Sequence, residues 1–216
     1  MELKKKLLKK SHLYVIVDKV ACGNRSLSCV VNACKGADII QLRDKYSGKQ
    51  DLLKQAFLLK KVLSGTKQLF IINEYLDIAK IVDSDGIHLG QRDTSIEIAR
   101  QILGNHKIIG LSCHSIKQAQ DAQDRGADYI GIGPIFTTAT KPGYKPIGRE
   151  VINKLKETIS IPFFAIGGIN LSNIDKIKSS VAGRVAVCQA VLQAKNIRSS
   201  ITYFNFKLKN DPITIR

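Results

Sequence analysis

A short apolar strand that opens into a polar loop is encoded by the stretch Asp128-Tyr-Ile-Gly-Ile-Gly-Pro-Ile-Phe-Thr-Thr-Ala-Thr-Lys141. Its first half is β-prone, and Gly133-Pro134 ends the strand because these two residues interrupt regular strand structure. The loop that follows carries two hydroxyls and one ammonium, from Thr138, Thr140 and Lys141. Ligands of parallel α/β folds bind where strands end, so the loop predicts an anion site. A solvated surface loop of the same composition is the alternative.

The order of residues before this strand recurs elsewhere in the chain. Gly36-Ala-Asp-Ile-Ile-Gln-Leu42, Ser84-Asp-Gly-Ile-His-Leu89 and Gly126-Ala-Asp-Tyr-Ile-Gly-Ile132 each lead from the end of a helix into a short strand. A structural repeat is the simplest cause of such an echo. The apolar patterns predict strands at 13–17, 38–43, 69–73, 86–89, 107–111, 129–132, 161–166 and 184–187. They predict helices at 26–35, 51–64, 76–82, 94–103 (capped by Thr94), 116–125, 148–158 and 172–179, with a last helix from 189 onwards.

Eight strand-then-helix units predict an α/β fold, a single (β/α)8 TIM barrel that spans residues 1–216 as one domain. Residues 1–12 form a basic N-terminal extension, which we expect to be a solvated first turn or a frayed end. The extension lacks the long apolar region of a signal peptide. No segment reaches the ~18 apolar residues that a membrane span needs. We therefore expect a cytoplasmic protein without a membrane partner.

The chain carries a formal net charge of +16, which fits either a nucleic-acid surface or a site for small, multiply charged anions. Lysines are spread along the whole sequence and only 6% of the residues are aromatic, so the composition favours small anions over nucleic acid. The five cysteines include no Cys-x-x-Cys pair. They are interpreted as reduced thiols rather than as disulfides or a zinc site.

Polar residues follow most of the predicted strands, and in a barrel these strand ends meet at one rim. Sorted by chemistry they are the cations Arg43, Lys45 and Lys141, the carboxylates Glu74 and Asp93, and the neutral donors Gln41, Asn73, Ser112, Thr138 and Thr140. Two carboxylates among cations suit Mg²⁺ bound to a diphosphate. Gly167-Gly168 and the backbone after Val187 predict a second anion site at the same rim, for a monophosphate.

These motifs together resemble the thiamine phosphate synthases, and the resemblance extends from Leu13 to about Leu192. It rests on Gln41-Leu-Arg-Asp-Lys45, Asn73, Gly86-Ile-His-Leu-Gly-Gln-Arg-Asp93, Gly133-Pro-Ile-Phe-Thr-Thr-Ala-Thr-Lys141 and Ala165-Ile-Gly-Gly-Ile169. The resemblance implies a transferase that couples 4-amino-5-hydroxymethyl-2-methylpyrimidine diphosphate with a thiazole phosphate. The products would be thiamine phosphate and diphosphate, formed by a dissociative mechanism with Mg²⁺ as the cofactor.

The resemblance also implies a role for each matching residue. The pyrimidine diphosphate contacts are Gln41, Arg43, Lys45, Asn73, Ser112 and Lys141, among which Arg43, Lys45 and Lys141 are the catalytic cations. The thiazole phosphate contacts are Thr138, Ala139, Thr140, Gly168, Cys188 and Gln189. Glu74 and Asp93 are the Mg²⁺ ligands. Two positions depart from the family pattern, because Glu74 stands where an Asp is usual and Gln189 stands where a Ser is usual.

Two other functions are compatible with parts of the sequence. A related barrel that aromatises the thiazole phosphate usually lacks the Mg²⁺ carboxylates and carries a His where Pro134 stands here, and neither trait fits this sequence. A basic module that binds nucleic acid would lose affinity steeply with salt. His88 is expected to be a core residue or one that supports the site from behind, rather than a catalytic one. His114 lies at the rim and is assigned no role beyond that of a substrate contact. We expect the two small-molecule substrates and no nucleic acid as partners, and the sequence is compatible with a homo-oligomer.

Overall fold

The computed structural model describes residues 2–138, 143, 145–148, 150–178 and 183–209. Its strands are β1 (Leu13–Asp18), β2 (Ile39–Arg43), β3 (Leu69–Asn73), β4 (Gly86–Leu89), β5 (Ile108–Cys113), β6 (Tyr129–Ile132), β7 (Phe163–Ile166) and β8 (Val185–Val187). Each strand pairs in parallel with the next, and β8 returns to β1, so the sheet closes into a barrel. The prediction of a (β/α)8 barrel is confirmed.

The helices of the described residues surround the barrel. They are α1 (Glu2–Lys10), α2 (Lys19–Cys22), α3 (Leu27–Ala33), α4 (Lys49–Leu63), α5 (Leu76–Ile81), α6 (Ile96–Leu103), α7 (Ile116–Asp124), α8 (Glu150–Thr158), α9 (Ile174–Lys178), α10 (Gln189–Leu192) and α11 (Ile197–Lys209). The helix expected from Gln189 onwards is thus two helices. Ser95, and not Thr94, caps α6, because its hydroxyl accepts a hydrogen bond from the Ile98 backbone N–H at 3.3 Å. None of the helices in this part of the chain is long and apolar enough to cross a membrane.

The expectation of a frayed N-terminal extension is wrong, because residues 2–10 form the helix α1. Lys4 pairs with Asp85 and Lys5 with Asp128, each at 2.8 Å, and both aspartates lie just before a strand. Leu8 is 2% exposed and packs against the residues that fill the barrel interior. The helix therefore covers the amino end of the barrel. A run of lysines looks like a solvated tail in the sequence, while here the lysines reach carboxylates at that end.

The repeated aspartates seen in the sequence hold the amino end of the barrel together. Asp38 accepts hydrogen bonds from the backbone N–H groups of His12 and Leu13, at 2.8 and 2.9 Å. Asp85 accepts from Phe70 at 2.8 Å, and Asp128 accepts from Ile109 at 2.9 Å. In each case the aspartate before an even-numbered strand binds a backbone donor at the start of the preceding strand. Buried backbone donors need such partners, which explains why the sequence repeats an aspartate before these strands.

Apolar side chains fill the space on both sides of the strands. One cluster lies between the strands and the surrounding helices, and a second fills the barrel interior. The interior cluster consists of Leu8, Tyr14, Ile16, Ile39, Leu69, Ile71, Ile108, Tyr129, Phe164 and Ala186. Because side chains occupy the inside of the barrel, as is usual for this fold, a ligand must bind at the carboxyl rim.

Candidate active site

A cavity of about 390 Å³ opens at the carboxyl rim of the barrel. Of the predicted site residues, it brings together Gln41, Arg43, Asn73, Ser112, Thr138, Gly168, Cys188 and Gln189. Lys45, Glu74 and Asp93 are outside its lining. The predictions for Ala139, Thr140 and Lys141 fall outside the described residues. His88, which was predicted to be a core residue, and His114, which was predicted to be at most a substrate contact, also line the cavity.

Arg43 is held in place by a residue that the sequence analysis did not single out. Asp18 ends β1 directly beside Arg43 at the end of β2, and its Oδ2 accepts a hydrogen bond from the guanidinium. The other oxygen, Oδ1, accepts from the backbone N–H of Ala21 at 3.1 Å and so caps α2. The Asp18 side chain is 8% exposed and that of Arg43 is 15% exposed. The guanidinium is therefore fixed at the rim by a largely buried ion pair.

Glu74 joins two other predicted site residues. Its Oε2 lies 2.9 Å from Nζ of Lys45 and accepts a hydrogen bond from Nδ2 of Asn73 at 3.0 Å. The Glu74 backbone has a φ of 50°, and its N–H donates to the carbonyl of His88 at 2.9 Å. A non-glycine residue in this left-handed region is disfavoured, and such residues often occur at functional sites. Glu74 thus leaves β3 in a disfavoured backbone conformation, at the point where its N–H binds His88 of β4.

Asp93 lies in the turn after β4. Its Oδ2 accepts a hydrogen bond from the Gly90 backbone N–H at 2.6 Å. Within the described ranges, no group of three or more His, Cys, Asp or Glu side chains converges as a metal site. Mg²⁺ commonly uses one or two protein carboxylates and completes its shell with water and phosphate oxygens. The contacts above engage one oxygen of Glu74 and one of Asp93, so the two residues fit Mg²⁺ by donor type.

The glycine pair after β7 is shaped by the loop that follows β6. Gly167 and Gly168 have φ values of 96° and 65°, which favour glycine. A Cβ on Gly168 would lie 2.3 Å from the carbonyl oxygen of Thr137. The side chain of Asn173 donates to the carbonyl oxygen of Gly168 at 2.8 Å and fixes this peptide. The bare backbone therefore lets the β6 loop, which holds Thr138, lie directly against the end of β7.

Cys188 occupies the first position after β8, at the start of α10. Burial raises the pKa of its thiol to about 12, so the side chain remains a neutral thiol at physiological pH. A neutral, half-buried thiol is a poor nucleophile and a poor anion ligand. Any contribution of Cys188 to phosphate binding must come from its backbone N–H, which depends little on side-chain identity.

The two rim histidines have defined hydrogen bonds. His88 Nε2 lies 2.9 Å from Oγ of Ser112, and His88 Nδ1 lies 2.9 Å from the hydroxyl of Tyr129. His114 Nδ1 lies 2.5 Å from the carbonyl oxygen of Gly133. Because a carbonyl only accepts, His114 carries a hydrogen on Nδ1. His88 links the cavity wall to the barrel interior, and His114 braces the end of β6.

Residues 13–191 match the family model described as "Thiamine monophosphate synthase". The chain belongs to this family. The thiamine monophosphate synthase relatives include the thiamine-phosphate synthase of Halalkalibacterium halodurans, which is 40% identical over 196 residues, 89% of this chain and 93% of the relative. The thiamine-phosphate synthase of Clostridioides difficile is 37% identical over 207 residues, 95% of this chain and 99% of the relative. The resemblance predicted from the motifs is confirmed.

Solved structures agree with the family assignment. The thiamine phosphate pyrophosphorylase from Pyrococcus furiosus superimposes with a TM-score of 0.84 at 32% identity, over 96% of this chain and 98% of that chain. A 3-hexulose-6-phosphate synthase superimposes with a TM-score of 0.64 at 16% identity, over 91% of this chain and 99% of that chain. At that level of identity the second likeness shows the barrel fold alone. Because the chain belongs to an enzyme family and the rim cavity gathers eight of the predicted site residues, this cavity is the candidate active site.

Proposed function

We propose that this chain is a transferase that joins the pyrimidine diphosphate to the thiazole phosphate and so makes thiamine phosphate and diphosphate. The observation that carries the proposal is the rim cavity. It places the Arg43 cation, the side-chain amides of Gln41 and Asn73 and the Ser112 hydroxyl together with a glycine-lined wall at Gly168. The curated relatives that cover most of the chain bear the name of this activity.

The chemistry follows from the charge that develops on the leaving group. As the bond between the pyrimidine methylene carbon and the diphosphate oxygen breaks, both electrons go to oxygen, and the aminopyrimidine delocalises the positive charge left on carbon. The thiazole nitrogen then donates its lone pair to that carbon. Arg43 and Lys45 are proposed to stabilise the departing diphosphate, each by roughly 3 kcal/mol if they act as fixed donors do elsewhere. Lys141 is proposed to assist them.

Asp18 prepares the cavity for this step. The ion pair fixes the Arg43 guanidinium before any ligand binds, so little reorganisation is needed as charge develops. Lys45 is held in the same way by Glu74. Both cations are thus positioned by a carboxylate on the neighbouring strand end.

Mg²⁺ is the proposed cofactor, and Glu74 and Asp93 are the residues proposed to hold it. When bound, the metal ion supplies Lewis-acid stabilisation of negative charge on phosphoryl oxygens. Hard carboxylate oxygens are the ligands that Mg²⁺ prefers, which supports the assignment.

The thiazole phosphate is proposed to bind on the opposite wall. Gly168 and Thr138 line the cavity there, beside Cys188 and Gln189 at the end of β8. We propose Ala139 and Thr140 as further contacts. Backbone N–H groups of Cys188 and Gln189 are proposed to receive the phosphate, which would make the usual Ser dispensable at position 189. Because both substrates are small and the cysteines are reduced, we propose action in the cytoplasm without a nucleic-acid partner.

A product assay tests the function. Purified protein is incubated with the pyrimidine diphosphate, the thiazole phosphate and Mg²⁺, and chromatography with mass detection follows thiamine phosphate. The expected result is thiamine phosphate that requires both substrates. Conversion of a thiazole phosphate tautomer without use of the pyrimidine diphosphate would instead identify the aromatising relative. The absence of any product from folded protein would contradict the proposal.

A further inference from the structure

A continuous chain of hydrogen bonds runs from one side of the cavity, through the barrel interior, to the other side. Gln41 Nε2 lies 2.9 Å from the hydroxyl oxygen of Tyr14, which lies 2.9 Å from that of Tyr129. The Tyr129 hydroxyl lies 2.9 Å from His88 Nδ1, and His88 Nε2 lies 2.9 Å from Ser112 Oγ. Gln41, His88 and Ser112 line the cavity, while the two tyrosines lie beneath it.

One arrangement of the hydrogens gives every group of the hydrogen-bond chain a matched partner when Gln41 Nε2 faces Tyr14. Gln41 Nε2 can only donate, so the Tyr14 oxygen accepts, and in this arrangement the Tyr14 hydrogen points to Tyr129. The Tyr129 hydrogen in turn points to Nδ1 of His88. Nδ1 is therefore an acceptor, and the ring hydrogen on Nε2 donates to Ser112 Oγ. A neutral His88 satisfies all four bonds, and the Ser112 hydrogen is not used within the chain.

The two tyrosines in the middle of the hydrogen-bond chain are held rigidly and stay protonated. Tyr129 is 0% exposed and Tyr14 is 2% exposed. Burial raises the pKa of both tyrosines well above the ordinary value, so each keeps its hydrogen. Phe164 packs edge-on against both rings, with centroids 5.3 Å from Tyr14 and 5.7 Å from Tyr129. A Cβ on Gly110 would lie 2.1 Å from Cζ of Tyr129, so the glycine leaves room for this ring.

We propose that Tyr14, Tyr129 and His88 are positioning residues that hold Gln41 and Ser112 in one hydrogen-bonding state. In that state Gln41 presents its carbonyl oxygen to the pyrimidine diphosphate, and Ser112 presents its hydroxyl hydrogen. The inference rests on the proposed function, because it concerns how the same cavity recognises that substrate. Reversing the Gln41 amide requires all four bonds to reverse, so the two ends are coupled through the barrel.

The order of the bonds has a consequence for the choice of substrate. A carbonyl oxygen on Gln41 accepts a hydrogen bond from an exocyclic amine, whereas an oxo group at the same ring position would place two acceptors together. An unmatched pair of buried acceptors is costly. We therefore expect the aminopyrimidine diphosphate to bind at least about tenfold more tightly than its oxo analogue. Tyr14→Phe releases Gln41 and should reduce this preference.

A double-mutant cycle between Tyr14 and Ser112 tests the coupling, because Tyr129 and His88 separate these two residues. Calorimetry measures the Kd for the pyrimidine diphosphate in wild type, Tyr14→Phe, Ser112→Ala and the double variant. Each single variant should weaken binding by about tenfold, and the double variant by clearly less than the product of the two effects. The Michaelis constant for the thiazole phosphate should stay within about twofold in Tyr14→Phe. Independent, multiplicative effects would overturn the inference.

Two controls keep the test interpretable. Phe164→Leu perturbs the ring packing without removing a hydrogen-bonding group, so it should lower the stability of the protein. Any effect it has on the Kd for the pyrimidine diphosphate should multiply with the effect of Ser112→Ala. If Tyr14→Phe does not fold, the cycle is repeated with Tyr129→Phe and Gln41→Met, because Tyr14 lies between Gln41 and Tyr129. Effects on Kd that multiply would again overturn the inference. A wild-type protein that fails to bind the pyrimidine diphosphate would contradict the proposed function. Tight binding by the wild type, with effects of the two substitutions on Kd that multiply, would contradict only the proposed coupling through the hydrogen bonds.

Discussion

Lys45 and Glu74 form an ion pair, with Nζ of the lysine 2.9 Å from Oε2 of the glutamate, where β2 and β3 end. One residue was predicted to bind the diphosphate and the other to bind Mg²⁺. Asn73 donates to the same carboxylate oxygen. Glu74 therefore organises two proposed substrate contacts in addition to its proposed metal role. Glu74, which stands where the resemblance implies an Asp, is thus the residue that makes both contacts.

Glu74 is expected to matter for rate and for the Mg²⁺ requirement. Glu74→Ala and Asp93→Ala should each lower turnover by about two or more orders of magnitude, because each removes a carboxylate from the proposed metal site. Glu74→Asp keeps the charge, so the apparent Mg²⁺ affinity should fall by about tenfold or less. The measurement is a Mg²⁺ titration of the coupling rate for the four proteins. An unchanged titration in Glu74→Ala would leave Glu74 as a partner of Lys45 and not a metal ligand.

Asp18 is expected to act through Arg43. Asp18→Asn keeps an oxygen for the Ala21 N–H but loses the charge that fixes the guanidinium. We expect kcat/KM for the pyrimidine diphosphate to fall by about tenfold, which is within the range for a lost charge-assisted hydrogen bond. The Michaelis constant for the thiazole phosphate and the melting temperature should change little. Wild-type kcat/KM in Asp18→Asn would show that Arg43 orients itself without Asp18.

Gly168 is expected to tolerate no side chain. Its left-handed backbone and the Thr137 carbonyl oxygen, 2.3 Å from where a Cβ would lie, both oppose substitution. Gly168→Ala should displace the β6 loop, raise the Michaelis constant for the thiazole phosphate by about tenfold or more, and lower stability by roughly 1 to 3 kcal/mol. Gly65→Ala is the matched control, because Gly65 has a φ of 75°, nothing within 4 Å of its Cβ position among the described residues, and a place after α4 outside the cavity lining. Equal kinetic losses in both variants would remove Gly168 from the proposed site.

Asp83 is expected to give the barrel a pH-dependent element of stability. The ammonium of Lys107 donates to its carboxylate and holds the pKa of Asp83 below its usual range. Because the folded-state pKa is lowered, this stabilisation is present above about pH 4 and is lost as the pH falls through the folded-state pKa. The Lys107 side chain is 5% exposed, but that of Asp83 is 75% exposed, so solvent screens the pair. Asp83→Asn, which also tolerates a positive φ, should therefore lower the free energy of unfolding by less than about 1 kcal/mol at pH 7.

Denaturant titrations of wild type and Asp83→Asn at pH 7 and pH 3 test this assignment. The difference between the two proteins should shrink at pH 3. Asp77→Asn is the control, because its partner Lys49 is 69% exposed whereas Lys107 is 5% exposed, and it should change stability by no more than a few tenths of a kcal/mol. A difference for Asp83→Asn that stays constant between the two pH values would contradict the role of its charge.

The sequence predicted the barrel because its strands alternate regularly with helices and because the same residue pattern, with an aspartate, precedes three of the strands. It also predicted eight residues of the cavity wall, since residues such as Gln41 and Ser112 lie near the ends of strands that must meet at the rim. It missed Asp18 because an aspartate after a strand looks like an ordinary helix cap, which this residue also is. Tyr14 and Tyr129 were hidden for a similar reason, since a tyrosine within a strand looks like core packing.

The measurement that examines the proposed reaction most closely is its stoichiometry in a single turnover. Excess protein is mixed with Mg²⁺, labelled pyrimidine diphosphate and thiazole phosphate, and diphosphate and thiamine phosphate are quantified over time. The account predicts that one diphosphate is released for each thiamine phosphate formed, and that Arg43→Met slows both together. Thiamine phosphate formation that Arg43→Met leaves at the wild-type rate would contradict it, as would diphosphate release without coupling in the presence of the thiazole phosphate.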